Sequence, residues 1–308
     1  MNHKSLRGSL LLLLGAVIWG AAFAAQRMGM DHVQPFTFSG VRMLLASLVM
    51  IPAAALARKR KGAAPAAAEN KREQRRGGLL CGLFLFAATA LQQTGLVYTS
   101  AGKAGFITAL YVVLVPVAGW LILRKRAGRM IWAGVGLAVA ALYLLCIPAE
   151  GFRMERGDVM LLGCAVCFTG QILCVDYYAP RVDSFALARD EFLVTGVLSM
   201  AVALLTEEIR AEGILEAAVP ILYTGIMSGA VGYTLQIVGQ RDVNPTIASL
   251  IMCLESVFAV LTGVVLLGEK MTGREAAGCI LMFTAVILAQ LSTAVRGKRA
   301  GREKEIAV

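Results

Sequence analysis

The sequence predicts an all-α integral membrane protein of ten transmembrane helices, arranged as two five-helix repeats of opposite orientation. Three observations carry that prediction. Of the 308 residues, 58% are apolar and only 16% charged, with a mean hydropathy of +0.71. A water-soluble domain sits nearer ~45–50% apolar and ~25% charged, so a soluble core, disorder, a coiled coil and collagen are excluded. Apolar runs of membrane length recur ten times between charge clusters, and a hydrocarbon core ~30 Å thick takes about 20 helical residues to cross. Finally, the second half of the chain echoes the first at a constant offset.

Taken in order, the first run is Ser9–Ala25, behind Lys4 and Arg7. With Ala22-Phe23-Ala24 it also has the look of a cleaved secretory signal, but the repeat needs the helix retained. Phe36–Ala57 ends at a basic cluster, Gly78–Tyr98 begins where that cluster ends, and Ala104–Leu123 stops at Arg124. Met130–Ile147 closes the first half. Val159–Asp176, Phe185–Leu205, Leu215–Val238, Ile247–Leu267 and Ala276–Ala294 form the second, bounded by charges and by Gly/Pro punctuation. The expected domains are a first repeat over 1–147, with a basic loop at 58–77, a second over 148–295, and a basic tail at 296–308.

Alternation from a cytoplasmic N-terminus puts most of the 30 Lys and Arg residues on one side: Lys4, Arg7, eight between Arg58 and Arg76, four from Arg124 to Arg129, Arg181, Arg189, Arg241, and five from Arg296 to Lys304. By the positive-inside rule both termini are cytoplasmic and the protein is multi-pass in the plasma (inner) membrane. The net charge of +10 is then topological, and nucleic acid is not an expected partner; the bilayer and a small-molecule solute are. Seven cysteines lie in or beside apolar runs, where thiols behave as small hydrophobes. Cys164 and Cys167 make a CxxC, but His3 and His32 are the only histidines and a zinc site normally takes four N or S ligands. No metal or cofactor is expected.

A shift of 144 residues lays LQQTG at Leu91 over LQIVG at Leu235, Gln92 over Gln236 and Gly95 over Gly239. It also pairs Ala104/Ala248, Leu110/Leu254, Gly134/Gly278, Ala141/Ala285 and Leu144/Leu288. Each match is weak; their persistence at one offset is the signal. Five helices per half is an odd number, so the second half enters the membrane inverted. The loops agree: the basic Arg58–Arg76 loop corresponds to one carrying Glu207, Glu208 and Glu212 against Arg210.

Polar side chains are costly in lipid unless they face protein or water, so those sharing a stripe mark a candidate cavity. Glu255 lies ninth in its run, near mid-depth. It reads either as a proton or cationic-solute site or as a carboxyl bonding to a neighbouring helix. Its helix and the fourth present matching stripes, with Thr108 and Tyr111 the mates of Met252 and Glu255. Gln92 and Gln236, with Tyr233, offer neutral hydrogen-bonding groups to a polar solute or to adjacent helices. Arg42, within snorkelling range of the interface, reads as an anion contact or as a structural group that anchors loop carbonyls or pairs with an acid. Trp19 is a cavity wall or a packing aromatic, and Asp190 and Glu191 beside Arg189 read as a solvated cluster. No GxSxG, HExxH, P-loop or dinucleotide fingerprint is present. No catalytic residues are expected, and the chain reads as a non-enzyme.

The segment ASLIMCLESVFAVLTGVVLLGEKMTGREAAGCILMFTAVILAQL, Ala248 to Leu291, resembles the signature of EamA-domain permeases of the drug/metabolite transporter superfamily. WGAAF at Trp19, PFTFSGVR ending at Arg42, and Tyr98–Leu123 are similar to the corresponding first-repeat segments. The resemblance implies two inverted EamA repeats around a central cavity built from helices one, three, four, six, eight and nine. It also implies transport of small metabolites such as amino acids, often outward, and supports Trp19, Gln92, Tyr111, Tyr233, Gln236 and Glu255 as cavity residues. Two departures stand out. Ser256 replaces the proline that often follows the ninth-helix glutamate, which puts the bend there in doubt, and Lys125 replaces an acid. The expected function is an alternating-access permease; the alternative is an intramembrane enzyme acting on a lipid-linked substrate.

Overall fold

The computed structural model describes residues 3–60, 71–99, 101–122, 124, 128–147, 154–267 and 270–306, and these contain helices but no strand. In chain order the helices are α1 (His3–Gly29), α2 (Pro35–Arg60), α3 (Lys71–Val97), α4 in two pieces (Ala101–Ala109, Tyr111–Leu121) and α5 (Arg129–Cys146). The second half follows with α6 (Arg156–Tyr178), α7 (Ser184–Thr206), α8 in three pieces (Ala218–Leu222, Tyr223–Tyr233, Thr234–Gln240), α9 in two (Pro245–Met252, Glu255–Leu267) and α10 (Gly273–Ile306). Among the described residues nine helices are long and apolar enough to cross a membrane. α7 is the tenth: it has the length, at 23 residues, and differs in carrying Arg189, Asp190 and Glu191 near its start.

Outward faces are apolar. On α10 the side chains of Ile280, Phe283, Ile287 and Leu291 are exposed at helical spacing, a stripe suited to lipid.

The repeat is visible in the packing. A Cβ on Gly134 of α5 would lie 3.1 Å from the Ala285 carbonyl oxygen of α10, and a Cβ on Gly278 would lie 3.1 Å from that of Ala141. Gly134 is the mate of Gly278 and Ala141 of Ala285, so this is one contact seen from both halves, as a two-fold axis between inverted repeats requires. α1 and α8 cross at Gly8 and Gly239, where a Cβ on either would come within 2.8 Å of the other's carbonyl oxygen. α6 and α3 cross in the same way at Gly157 and Gly95. The first crossing is at the end of the bundle that carries His3, the second at the opposite end.

Several features differ from expectation. The eighth run does not start at Leu215: a separate helix, Ala211–Glu216, ends at Ala217, and α8 follows with Pro220 in its first turn, where a missing N–H costs least. α10 continues through the basic segment to Ile306. α4 and α9 are both interrupted. Lys125, Glu269 and residues 61–70 of the basic loop lie outside the described residues.

Candidate functional site

The interruptions of α4 and α9 fall at repeat-related positions. Leu110 N donates to Ile107 O at 3.2 Å and Leu254 N to Ile251 O at 3.1 Å, three-residue bonds that tighten the turn and offset the axis. Ile107 and Ile251 are themselves mates. Pro116 sits beyond the first break, inside the second piece of α4, and Ser256 stands after Glu255; neither bend is made by proline at the break. Tyr111 and Glu255 therefore begin the second pieces of their helices. Across the gap Cys253 Sγ donates to the Ala109 carbonyl at 3.6 Å, and Tyr111 Oη lies 3.5 Å from Glu255 Oε1, at the limit of a hydrogen bond. Both contacts join residues 144 apart. A residue touches its own mate only where the two-fold axis passes, so the breaks and Glu255 sit on that axis.

A cavity of about 60 Å³ opens beside them. The first repeat contributes Trp19, Phe23 and Gln26 from α1, Arg42 from α2, Gln92 from α3, and Thr108 and Tyr111 from α4; the second contributes Phe168 and Gln171 from α6, Ser228, Tyr233 and Gln236 from α8, and Met252 and Glu255 from α9. The eight candidate solute-contact residues, Trp19, Arg42, Gln92, Thr108, Tyr111, Tyr233, Gln236 and Glu255, all stand on this one wall.

Local structure positions each. The middle of α8, Tyr223–Tyr233, is wound as a π-helix, a form that frees carbonyls and recurs at functional sites. Its Ser228 carbonyl accepts from Trp19 Nε1 at 3.1 Å. Gly232 makes room, since a Cβ there would lie 2.7 Å from that nitrogen. The Tyr233 ring meets Trp19 edge-on at 5.0 Å and Phe192 at 5.9 Å. Thr108 Oγ1 is 3.9 Å from Cys164 Sγ. Gln236 Nε2 donates to Gln171 Oε1 at 3.0 Å and to Gln240 Oε1 at 2.9 Å.

Arg42 departs from the snorkelling reading. It is 3% exposed, with its guanidinium 5.3 Å from the Phe38 ring centroid and its Nε without a partner. Among the described residues no acid pairs with it. Glu207, the acid near the start of α2, is occupied by the Phe36 and Thr37 backbone N–H groups at 2.8 and 2.6 Å. The guanidinium faces the cavity instead.

The solvated-cluster reading is half corrected. Asp190 pairs with Arg189 at 2.6 Å in a partly exposed position, but Glu191 is fully buried and accepts from Gln171 Nε2 at 2.8 Å. Gln26, Gln171 and Ser228 are polar wall residues that the sequence reading does not single out. Gln26, which accepts from Gln93 Nε2, is an amide just past the end of the first run; Gln171 lies within the sixth. An amide inside an apolar run was the available signal. Among the described residues no three His, Cys, Asp or Glu side chains cluster as metal ligands.

Residues 6–147 and 155–291 match the EamA-like transporter family. The chain belongs to that family. An uncharacterised transporter of Archaeoglobus fulgidus is 31% identical over 94% of this chain and 87% of its own length. A probable amino-acid metabolite efflux pump of Salmonella typhimurium is 23% identical over 92% and 95%. An S-adenosylmethionine/S-adenosylhomocysteine transporter of Chlamydia muridarum is 24% identical over 89% and 90%. A protein crystal structure superposes on this EamA-like chain with a TM-score of 0.76, 20% identity, and coverage of 92% and 96%, a likeness of fold. The chain is thus a multi-pass membrane protein of a transporter family, with two EamA repeats.

Proposed function

We propose that this EamA-like protein is a secondary carrier that exports a small polar metabolite across the plasma membrane by alternating access, with both termini cytoplasmic. Amino acids and their derivatives are the first solute class to test. In this reading the units 1–147 and 148–295 are the two rocking halves, and 296–308 is a cytoplasmic tail.

The observation that carries it is the position of the cavity. It opens beside the repeat-related breaks and draws its wall from both repeats, so moving one repeat against the other reshapes it. The wall combines one cation, one acid and several neutral amides and hydroxyls, a set suited to a solute with both charged and uncharged polar groups. At about 60 Å³ the space holds a few waters; a metabolite enters as the halves part. Relatives named as an amino-acid metabolite efflux pump and as an S-adenosylmethionine transporter favour this class. The intramembrane-enzyme reading calls for an acid or nucleophile cluster near one interface, whereas these groups gather beside the axis.

The test is solute counterflow in proteoliposomes, guided by a thermal-stabilisation screen of the purified chain, since a ligand of the folded state raises its apparent stability. Saturable flux accelerated by solute on the opposite side is expected. Flux that neither saturates nor accelerates overturns the carrier in favour of a channel.

A further inference from the structure

Glu191 is buried off the cavity, and nothing in the carrier reading uses it. It sits two turns into α7, packed against α2, α3, α6 and α8. Oε1 accepts from Gln171 Nε2 at 2.8 Å, while Oε2 is buried without a partner. No cation among the described residues reaches it: Arg189 is held by Asp190, and Arg42 lies on the cavity wall. Among the described residues the titratable groups around it are Cys81 on α3, Cys174 on α6 and Tyr233 on α8; α2 brings Met43, Ala46 and Met50 to the apolar cluster here, and its Ser47 Oγ donates to the Arg189 carbonyl. A carboxylate held so costs several kcal/mol unless it takes up a proton.

The partner of Glu191 is what gives the site a consequence. Gln171 receives at its own oxygen the Nε2 of Gln236, and both Gln171 and Gln236 line the cavity. Gln240 extends the chain, accepting from Gln236 and donating to the Ile172 carbonyl. A continuous line of amide hydrogen bonds thus joins a buried acid to the cavity wall.

We infer that Glu191 is a proton-binding site whose occupancy sets how firmly the cavity amides Gln171 and Gln236 are held. Ionised, the carboxylate makes a charge-assisted bond to Gln171, roughly twice as strong as a neutral one, and pins both amides in their mutual contacts. A proton arriving from water forms an O–H bond at Oε2, the oxygen without a partner, and leaves Oε1 a neutral acceptor. The chain then loosens, and Gln171 and Gln236 become free to turn toward a solute. Glu191 touches no solute; it is a positioning residue distinct from Glu255. The consequence for solute binding rests on the carrier reading, but the proton site itself does not.

The experiment is therefore an infrared pH titration of the purified full-length protein, in which the proton is the probe. The wild type is expected to show a protonated-carboxyl band that is absent in Glu191→Gln, retained in Glu255→Gln, and lost as pH rises. Gln171→Met, of similar size, removes the bond to Oε1 and shifts that band to higher frequency. Gln236→Met, one amide further away, also displaces it. Because both glutamine variants leave Glu191 in place, the test survives a failure of Glu191→Gln to fold. A spectrum with no band attributable to Glu191 at any pH overturns the proton site, and a Glu191 band indifferent to Gln171→Met and Gln236→Met overturns the link to the cavity. Failure of every counterflow assay refutes the carrier and leaves the titration readable.

Discussion

Arg42 and Glu255 put opposite charges on one cavity wall, and their surroundings predict opposite consequences of removing them. Arg42 is buried and, among the described residues, no acid pairs with it, a state that disfavours the folded protein. Arg42→Met is therefore expected to raise the thermal stability of the purified protein. If the guanidinium meets an anionic group of the solute, the same change weakens binding by about 1.5–3 kcal/mol, tenfold or more in Kd; Arg42→Lys recovers only part of this, because lysine lacks the planar fork. Loss of stability together with unchanged affinity assigns Arg42 to packing. Glu255→Gln keeps the shape and the contact with Tyr111 but removes the titratable group. In proteoliposomes it is expected to retain counterflow and to lose flux driven by a pH gradient; driven flux equal to wild type removes Glu255 from coupling. Arg42 and Glu255 were legible in the sequence because a lone charge in an apolar run is conspicuous. Glu191 was not: beside Arg189 and Asp190 it reads as surface, and only the rotation of α7 separates the two carboxylates, one toward its arginine and one into the bundle.

At the scale of elements, the spans were legible because apolar length is a direct consequence of bilayer thickness. The breaks in α4 and α9 were not. They arise from a shift between four- and three-residue hydrogen bonds at Leu110 and Leu254, and nothing in side-chain periodicity marks such a shift. The π-wound centre of α8 was hidden for the same reason. Helix contacts, by contrast, follow from glycine placement that the repeat had already flagged. Gly134 and Gly278 admit the carbonyls of Ala285 and Ala141, so Gly134→Val and Gly278→Val are each expected to destabilise the α5–α10 pair by about 1–3 kcal/mol through overpacking. Gly136, two residues from Gly134, has open space at its Cβ position, and Gly136→Ala is expected to stabilise by up to ~1 kcal/mol through helix propensity. Thermal unfolding of the three variants in detergent checks this; equal stability of all three means α5 and α10 part easily, against the packing described.

For the whole molecule, the two-fold axis turns one geometric fact into a mechanistic expectation. The α1–α8 crossing at Gly8 and Gly239 and the α3–α6 crossing at Gly95 and Gly157 are the same backbone approach, placed by the inversion at opposite ends of the bundle. A carrier that rocks about the axis exchanges the roles of its two ends, so each crossing loosens in one half of the cycle and closes in the other. In that reading neither stays shut through a complete turnover. Cysteines replacing Leu12 and Val243, whose side chains pack beside the Gly8–Gly239 approach, in a chain whose seven native cysteines are replaced, are expected to stop counterflow when joined by a short reducible thiol cross-linker and to release it on reduction. Cysteines replacing Tyr98 and Leu161, beside the Gly95–Gly157 approach, should do the same from the other end, each single-cysteine control remaining active in the cross-linker. A cross-link at one end that blocks flux while its symmetric partner leaves it intact would mean that only one gate moves, and the inverted repeats would then be a record of how the fold is built and not of how it works.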